Sequence, residues 1–204
     1  MCGRYYLTEE SQEELIRIVK ILDHKIKIEK NILSGAPSHL SRDIVPTMQA
    51  PVLFSDSGSL SLALLQWGMH HPGHDRLMIN ARSESVLQKP FFAEAVADGR
   101  CIIPASGFYE WDVSSNRFTF TDPQSPLLYF AGLKKQQESI CFTILTSAAN
   151  NSMLPVHDRI PLVLDQERAF QFLAAESAAI ELLTSTPLEL SRSAEFEQLR
   201  LDFT

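Results

Sequence analysis

Cysteine is scarce in this chain: Cys2, Cys101 and Cys141 are the only three in 204 residues. They are too few and too scattered for a disulfide framework or a paired CxxC zinc site, so a reducing, cytoplasmic setting is expected. Long apolar runs are missing as well, which excludes a bilayer-spanning helix, and the N-terminus carries Arg4, Glu9 and Glu10 where a signal peptide would be apolar. No membrane partner is expected. Positive charge is also short: 18 Lys and Arg against 25 Asp and Glu leave a net charge of −7. Nonspecific coating of nucleic acid needs clustered cations, so any nucleic-acid site here must be a local cleft assembled from separated arginines. No internal repeat, low-complexity tract or linker divides the sequence. With 45% hydrophobic and 21% charged residues, the chain is long enough to bury one good core, and a single domain over residues 1–204 is expected.

The periodicity predicts a helix from Thr8 to Leu22, with Thr8 as N-cap, Glu9 and Glu10 in the first turn, and Leu15, Ile18, Val19 and Leu22 on one face. Lys30 to Asp43 has no sustained period and reads as a loop. Strand-like segments then dominate: Pro51 to Phe54, Leu60 to Trp67, Arg100 to Ile103, Gly107 to Asp112, Arg117 to Thr121, Leu127 to Leu133, Ile140 to Thr146 and Pro161 to Leu164. Two further helices are expected, one over about Pro90 to Ala97 and one capped by Asp165 that buries Phe170, Leu173 and Phe172. Many strands with a few peripheral helices imply an α+β fold on a curved or barrel-like, mainly antiparallel sheet.

The chain opens Met-Cys-Gly-Arg, and a small second residue lets an aminopeptidase remove Met1 and leave Cys2 at the N-terminus. That residue is a 1,2-aminothiol. Its amine, with an ordinary pKa of about 7.7–8.0, stands beside a thiol at about 8.5. The amine can condense with an aldehyde to an imine on which the thiol closes a thiazolidine, or it can act as base for its own thiolate. The other reading makes Cys2 a small apolar residue on a first strand, alternating as Cys2, Arg4, Tyr6 against Gly3, Tyr5, Leu7.

Three more positions combine reactive groups with an ordered setting. Asn80 follows an apolar strand end in Met78-Ile79-Asn80-Ala81-Arg82-Ser83-Glu84; it is either a local cap or a polar group in a site. Glu110 in Gly107-Phe108-Tyr109-Glu110-Trp111 shares a strand face with Phe108. It is a solvent-facing strand residue, or a desolvated carboxyl suited to proton transfer. His157 lies between Pro155 and Pro161 with Asp158 and Arg159 beside it, a structural histidine or a proton shuttle. His70 and His74 have the i,i+4 spacing of helical zinc ligands, but Pro72 and Gly73 break that helix. A polar turn is expected there, with no metal and no cofactor.

Taken together, these blocks resemble the SOS response-associated peptidase family, the SRAP domain. The matching pieces are Met-Cys-Gly-Arg, Val45-Pro46-Thr47, Trp67-Gly68, Ile79-Asn80-Ala81-Arg82-Ser83-Glu84, Arg100-Cys101-Ile102-Ile103-Pro104, Gly107-Phe108-Tyr109-Glu110-Trp111 and His157-Asp158-Arg159-Ile160-Pro161. They fall within residues 1–164, and residues 165–204 diverge. The resemblance implies a barrel-like fold and a protein that senses and shields abasic sites in single-stranded DNA. It would crosslink itself through Cys2 as a thiazolidine after Met1 removal, with abasic-site lyase chemistry as a side activity. It also implies that Cys2 is the nucleophile, that Asn80 orients the reacting groups, that Glu110 moves protons and that His157 assists opening of the deoxyribose. Arg4, Pro46, Arg82 and Arg159 would line the DNA path, the arginines on flanking phosphates.

The chain departs from the family pattern at Arg42-Asp43, where a carboxylate is expected to weaken phosphate binding. His70, His71 and His74 follow Trp67-Gly68 where a second tryptophan is common, so poorer base stacking is expected. The competing readings are an N-terminal-nucleophile cysteine hydrolase, either glutamine amidotransferase-like or a peptidase that trims its own Met1, and a noncatalytic single-strand binder.

Overall fold

In the computed structural model, residues 2–23, 26–28, 43–56 and 58–194 are described. Strands β1 (Tyr5–Tyr6), β3 (Asp43–Ile44), β10 (Gly107–Trp111), β11 (Arg117–Thr121) and β16 (Ser191–Ala194) form an antiparallel sheet in the order β16-β11-β10-β1-β3. The larger sheet runs β14 (Arg159–Pro161), β13 (Ile140–Ala148), β12 (Leu128–Gln136), β9 (Arg100–Ala105), β4 (Gln49–Asp56), β5 (Ser59–Trp67), β2 (Lys27–Ile28), with β15 (Val163–Leu164) paired to β12 off this path. It curls until β13 also pairs with β5, Cys141 opposite Gln66 and Phe142 opposite Trp67, in parallel. That pairing closes a ring of β5, β4, β9, β12 and β13, the barrel-like sheet that the strand count predicts, and removes the edges an open sheet would expose.

The closure explains why β9 and β13 read as apolar runs and not as alternating strands. One face of each fills the barrel, and on the other face helices over Pro90–Asp98 and Gln166–Ala174 cover β9. Residues Cys101 to Ala105 and Cys141 to Ser147 are buried without interruption. The interior is aromatic. Tyr5 packs on Trp67 with ring centroids 5.2 Å apart and edge-on to Phe130 at 5.8 Å, while Phe108 stacks on Phe120 at 5.0 Å. Tyr5 and Phe108 belong to the small sheet, and the Tyr5 contacts together with the edge-on packing of Phe108 against Phe130 at 5.7 Å join it to the barrel.

The first helix spans Glu9–Leu22 and is capped by Thr8, whose hydroxyl accepts the Ser11 amide at 3.2 Å. Leu15 and Val19 are buried as expected, Ile18 only partly, and Leu22 is half exposed. Ser11 and Gln12 complete the buried side, because the Ser11 hydroxyl donates to the Pro126 carbonyl at 2.8 Å. Pro90 opens the second helix at its first turn. Asp165 caps the third, accepting the Arg168 amide at 2.8 Å. That helix buries Phe172 and Leu173 with Ala169 in place of the expected Phe170, which is half buried against Tyr129. A fourth helix, Glu176–Leu182, was not expected from the sequence; its N-cap Ala175 makes no side-chain cap.

The histidine cluster is a hairpin of β6 (Met69–His71) and β7 (His74–Met78) turning at Pro72 and Gly73, so His70 and His74 do not share a helical face. Gly68 precedes it at φ 113°, where a Cβ would come within 2.4 Å of Leu77, so a glycine lets the chain turn off β5 there. The loop reading for Lys30 to Asp43 lies outside the described residues except for Asp43, which begins β3. No helix among the described residues is long and apolar enough to cross a membrane.

Candidate active site

Regular pairing of the N-terminus starts only at Tyr5, opposite both Phe108 and Ile44. The Tyr109 amide still donates to the Arg4 carbonyl at 3.0 Å, which extends the register and brings the preceding residues toward Glu110 and Trp111. Before Tyr5 the chain leaves the strand path. Cys2 is therefore buried with Tyr5 and Leu7, while Arg4 and Tyr6 face outward. The expected alternation, which put Cys2 on the Arg4 face, is corrected by this departure.

Cys2 is wholly buried, and its thiol leans toward the Arg4 carbonyl at 3.8 Å. Burial and the neighbouring Glu110 carboxylate push the thiol up to about 12, against a lesser opposing pull from a backbone hydrogen bond of Arg4. Asn80 is the first residue of β8 (Asn80–Arg82), laid parallel to β13 opposite Ile144. Its amide nitrogen donates to the Cys2 carbonyl at 2.8 Å. The Asn80 Oδ1 is buried without a hydrogen-bond partner among the described residues, a costly arrangement unless a ligand donates a hydrogen bond to it. Glu110 is 5% exposed, which overturns the solvent-facing reading: its strand face looks inward with Phe108, and it pairs across the sheet with Phe118. Cys2, Asn80 and Glu110, from three distant segments, thus converge.

His157 lies just before β14, which pairs with β13. At Thr146 that strand pairs with Pro161 of β14 on one edge and with Arg82 of β8 on the other. His157 Nδ1 accepts the Arg159 amide at 2.9 Å and lies 2.8 Å from Asp158 Oδ1. The two contacts ask opposite things of one nitrogen, a lone pair for the amide and a proton for the carboxylate. Arg82 is exposed, and Pro46 sits in a turn beside Thr47, whose φ of 76° is rare for a β-branched residue.

Arg159 is engaged within the protein. Its guanidinium, with the side chain 11% exposed, grips Glu84 through two bonds of 2.6 and 3.0 Å and reaches the Thr146 carbonyl at 2.6 Å. Those partners take up both terminal nitrogens, so Arg159 ties the frame together, while its Nε is buried without a hydrogen-bond partner among the described residues. Glu84 is the residue whose role the sequence reading missed. Arg159 holds its carboxyl below the ordinary carboxylate range, chiefly through this hydrogen bonding. Only the opposite charges in two separated blocks hinted at the pair. Asp43 was also missed as a partner of Arg4, from which it lies 3.4 Å away.

The chain is 28% identical over 202 residues to the abasic site processing protein YoqW of Bacillus subtilis, covering 91% of this chain and 85% of that protein. It is 25% identical over 191 residues to the abasic site processing protein YedK of Escherichia coli, covering 89% and 83%. In fold it is similar to a solved protein from Bacteroides thetaiotaomicron, with a TM-score of 0.74 at 17% identity over 95% of this chain and 91% of that one. A phage-related protein from Bordetella bronchiseptica gives 0.73 at 23% identity, over 95% and 93%. The family model for SOS response associated peptidase (SRAP) matches residues 1–199, and the chain belongs to that family.

Proposed function

We propose that this protein processes abasic sites in single-stranded DNA by capturing the lesion covalently on Cys2. The observation that carries the reading is the convergence of Cys2, Asn80 and Glu110, and the names of its relatives favour the same substrate. An abasic site is a masked aldehyde. Its hemiacetal opens when the anomeric hydroxyl loses a proton and the ring oxygen gains one, and His157 is the group proposed to assist. Removal of Met1 frees the Cys2 amine. That amine adds to the aldehyde carbon, and loss of one water gives the imine. The thiol sulfur then bonds to the same carbon while the thiol proton passes to nitrogen, closing a thiazolidine. Glu110, beside the thiol, would relay that proton.

The state of the thiol favours amine-first order. With Met1 attached, the buried thiol is held protonated near neutrality, which favours the freed amine as the group that leads and the thiol as the one that closes on the imine. A cysteine hydrolase needs the thiolate at the outset, and nothing in the site favours it. Asn80 would hold the Cys2 backbone through its amide nitrogen and offer Oδ1 to the reacting amine or sugar.

The test is a denaturing gel of protein whose Met1 removal is confirmed by mass spectrometry, mixed with single-stranded DNA carrying one abasic site. A denaturation-resistant band that needs both the lesion and Cys2 is the expected result; its absence sinks the reading. The Cys2→Ala variant, with a free amine and no thiol, is expected to give an adduct only after borohydride reduction. No trapped adduct would overturn the amine-first order.

A further inference from the structure

The arginine nearest the nucleophile carries its own counter-ion. Arg4 Nη1 lies 3.4 Å from Asp43 Oδ2, and both side chains are 40% exposed. The Arg4 guanidinium also sits 5.6 Å from the centroid of the Trp111 ring. Asp43 is fixed from two sides. Its backbone pairs with Tyr6, and its carboxylate hydrogen-bonds the Tyr109 side chain. The pair has a single long contact open to water, the geometry of an ion pair that exchanges partners readily. A phosphodiester at Arg4 must displace this carboxylate or share the guanidinium with it, and the Trp111 ring stays as a second seat for the cation meanwhile.

We infer that Asp43 is an affinity-limiting residue that competes with DNA phosphate for Arg4, and so keeps the noncovalent hold on single strands weak. The inference rests on the proposed DNA reading and adds to it. A protein that captures its substrate covalently gains nothing from gripping undamaged strands, since the covalent step retains the lesion once it is found. A built-in competitor lowers the affinity for lesion and intact strand alike before reaction, and leaves the bond to Cys2 to separate them. The −7 net charge acts in the same direction over the whole surface, but Asp43 acts at one phosphate.

The experiment compares wild type, Asp43→Asn, Arg4→Ala and the double variant. Binding to a lesion-free single-stranded oligonucleotide is read by fluorescence anisotropy at several salt concentrations, and crosslinking of the abasic strand is titrated in parallel. Asp43→Asn is expected to tighten binding to the intact strand about three- to tenfold and to steepen the plot of log K against log salt by about 0.7, one added phosphate contact. Half-saturation for crosslinking should fall by a similar factor. In the Arg4→Ala background the same substitution should change binding less than about twofold, because the contested cation is gone. Unchanged, weaker or unmeasurable binding by Asp43→Asn overturns the inference, as does a gain that survives Arg4→Ala. A gain in binding with no lesion-dependent crosslink sinks the proposed covalent function and leaves the competition at Arg4 standing.

Discussion

Arg4 and Arg159 both come from motifs that resemble a DNA-binding family, yet the fold treats them oppositely. Arg159 is 11% exposed and bound by Glu84 and Thr146 through bonds of 2.6 to 3.3 Å. Arg4 is 40% exposed and meets one carboxylate at 3.4 Å. The contrast follows from position. Arg159 begins β14 against β13, deep enough that its charge must be matched inside the protein. Arg4 lies just outside the first paired residue of β1, where water and ligands reach it. An arginine in a motif can therefore be framework or binding group, and burial of the guanidinium decides which.

The sharpest way to break this contrast is to truncate the buried partner. Arg159→Ala strips the Thr146 carbonyl and the Glu84 carboxylate of their donors, and a loss of about 2–4 kcal/mol is expected from the urea unfolding midpoint. A loss under about 0.5 kcal/mol would make Arg159 as dispensable as a surface cation. Asn80→Ala leaves the Cys2 carbonyl without its 2.8 Å donor. It should slow crosslinking about ten- to a hundredfold through misplacement of the nucleophile while costing only about 1 kcal/mol of stability, read by single-turnover gels beside unfolding curves.

Acid separates the two arginines as well. The carboxyl of Glu84 is depressed in the folded protein, so its stabilising contribution is complete above the ordinary carboxylate range and disappears as pH falls through the lowered folded value. Glu84→Gln should flatten that part of the acid limb of the stability profile; an unaltered limb would mean the pair does not couple to folding. The smallest effect belongs to Arg4→Ala, whose thermal unfolding should stay within about 0.5 kcal/mol of wild type even though binding of DNA weakens.

Local chemistry made much of the fold legible. Thr8 and Asp165 announce helix starts because a side-chain oxygen there satisfies amides that have no other partner, and the strand segments lie within a few residues of those observed. Long-range closure was not legible. Nothing near Cys141 indicates that it pairs with Gln66, and the inward turn of Glu110 depends on which face of β10 the barrel covers. The face of Cys2 was misjudged for a related reason, since a period of two holds only where a strand is paired and pairing begins at Tyr5. The four candidate residues were visible as reactive types in ordered surroundings. The Glu84–Arg159 and Asp43–Arg4 pairs were not, because each joins blocks with no periodic relation in sequence.

The complete burial of Cys2 also sets a schedule for making the protein. The residues that enclose it arrive later from the ribosome. At about 5–20 residues per second, Glu110 follows Cys2 by roughly 5–20 s. During that interval the Cys2 thiol is open to solvent and to any reagent in it. Once β10 is laid beside β1 and Asn80 holds the Cys2 carbonyl, the thiol is enclosed. The same cysteine is therefore a surface group on the growing chain and a buried one in the finished fold.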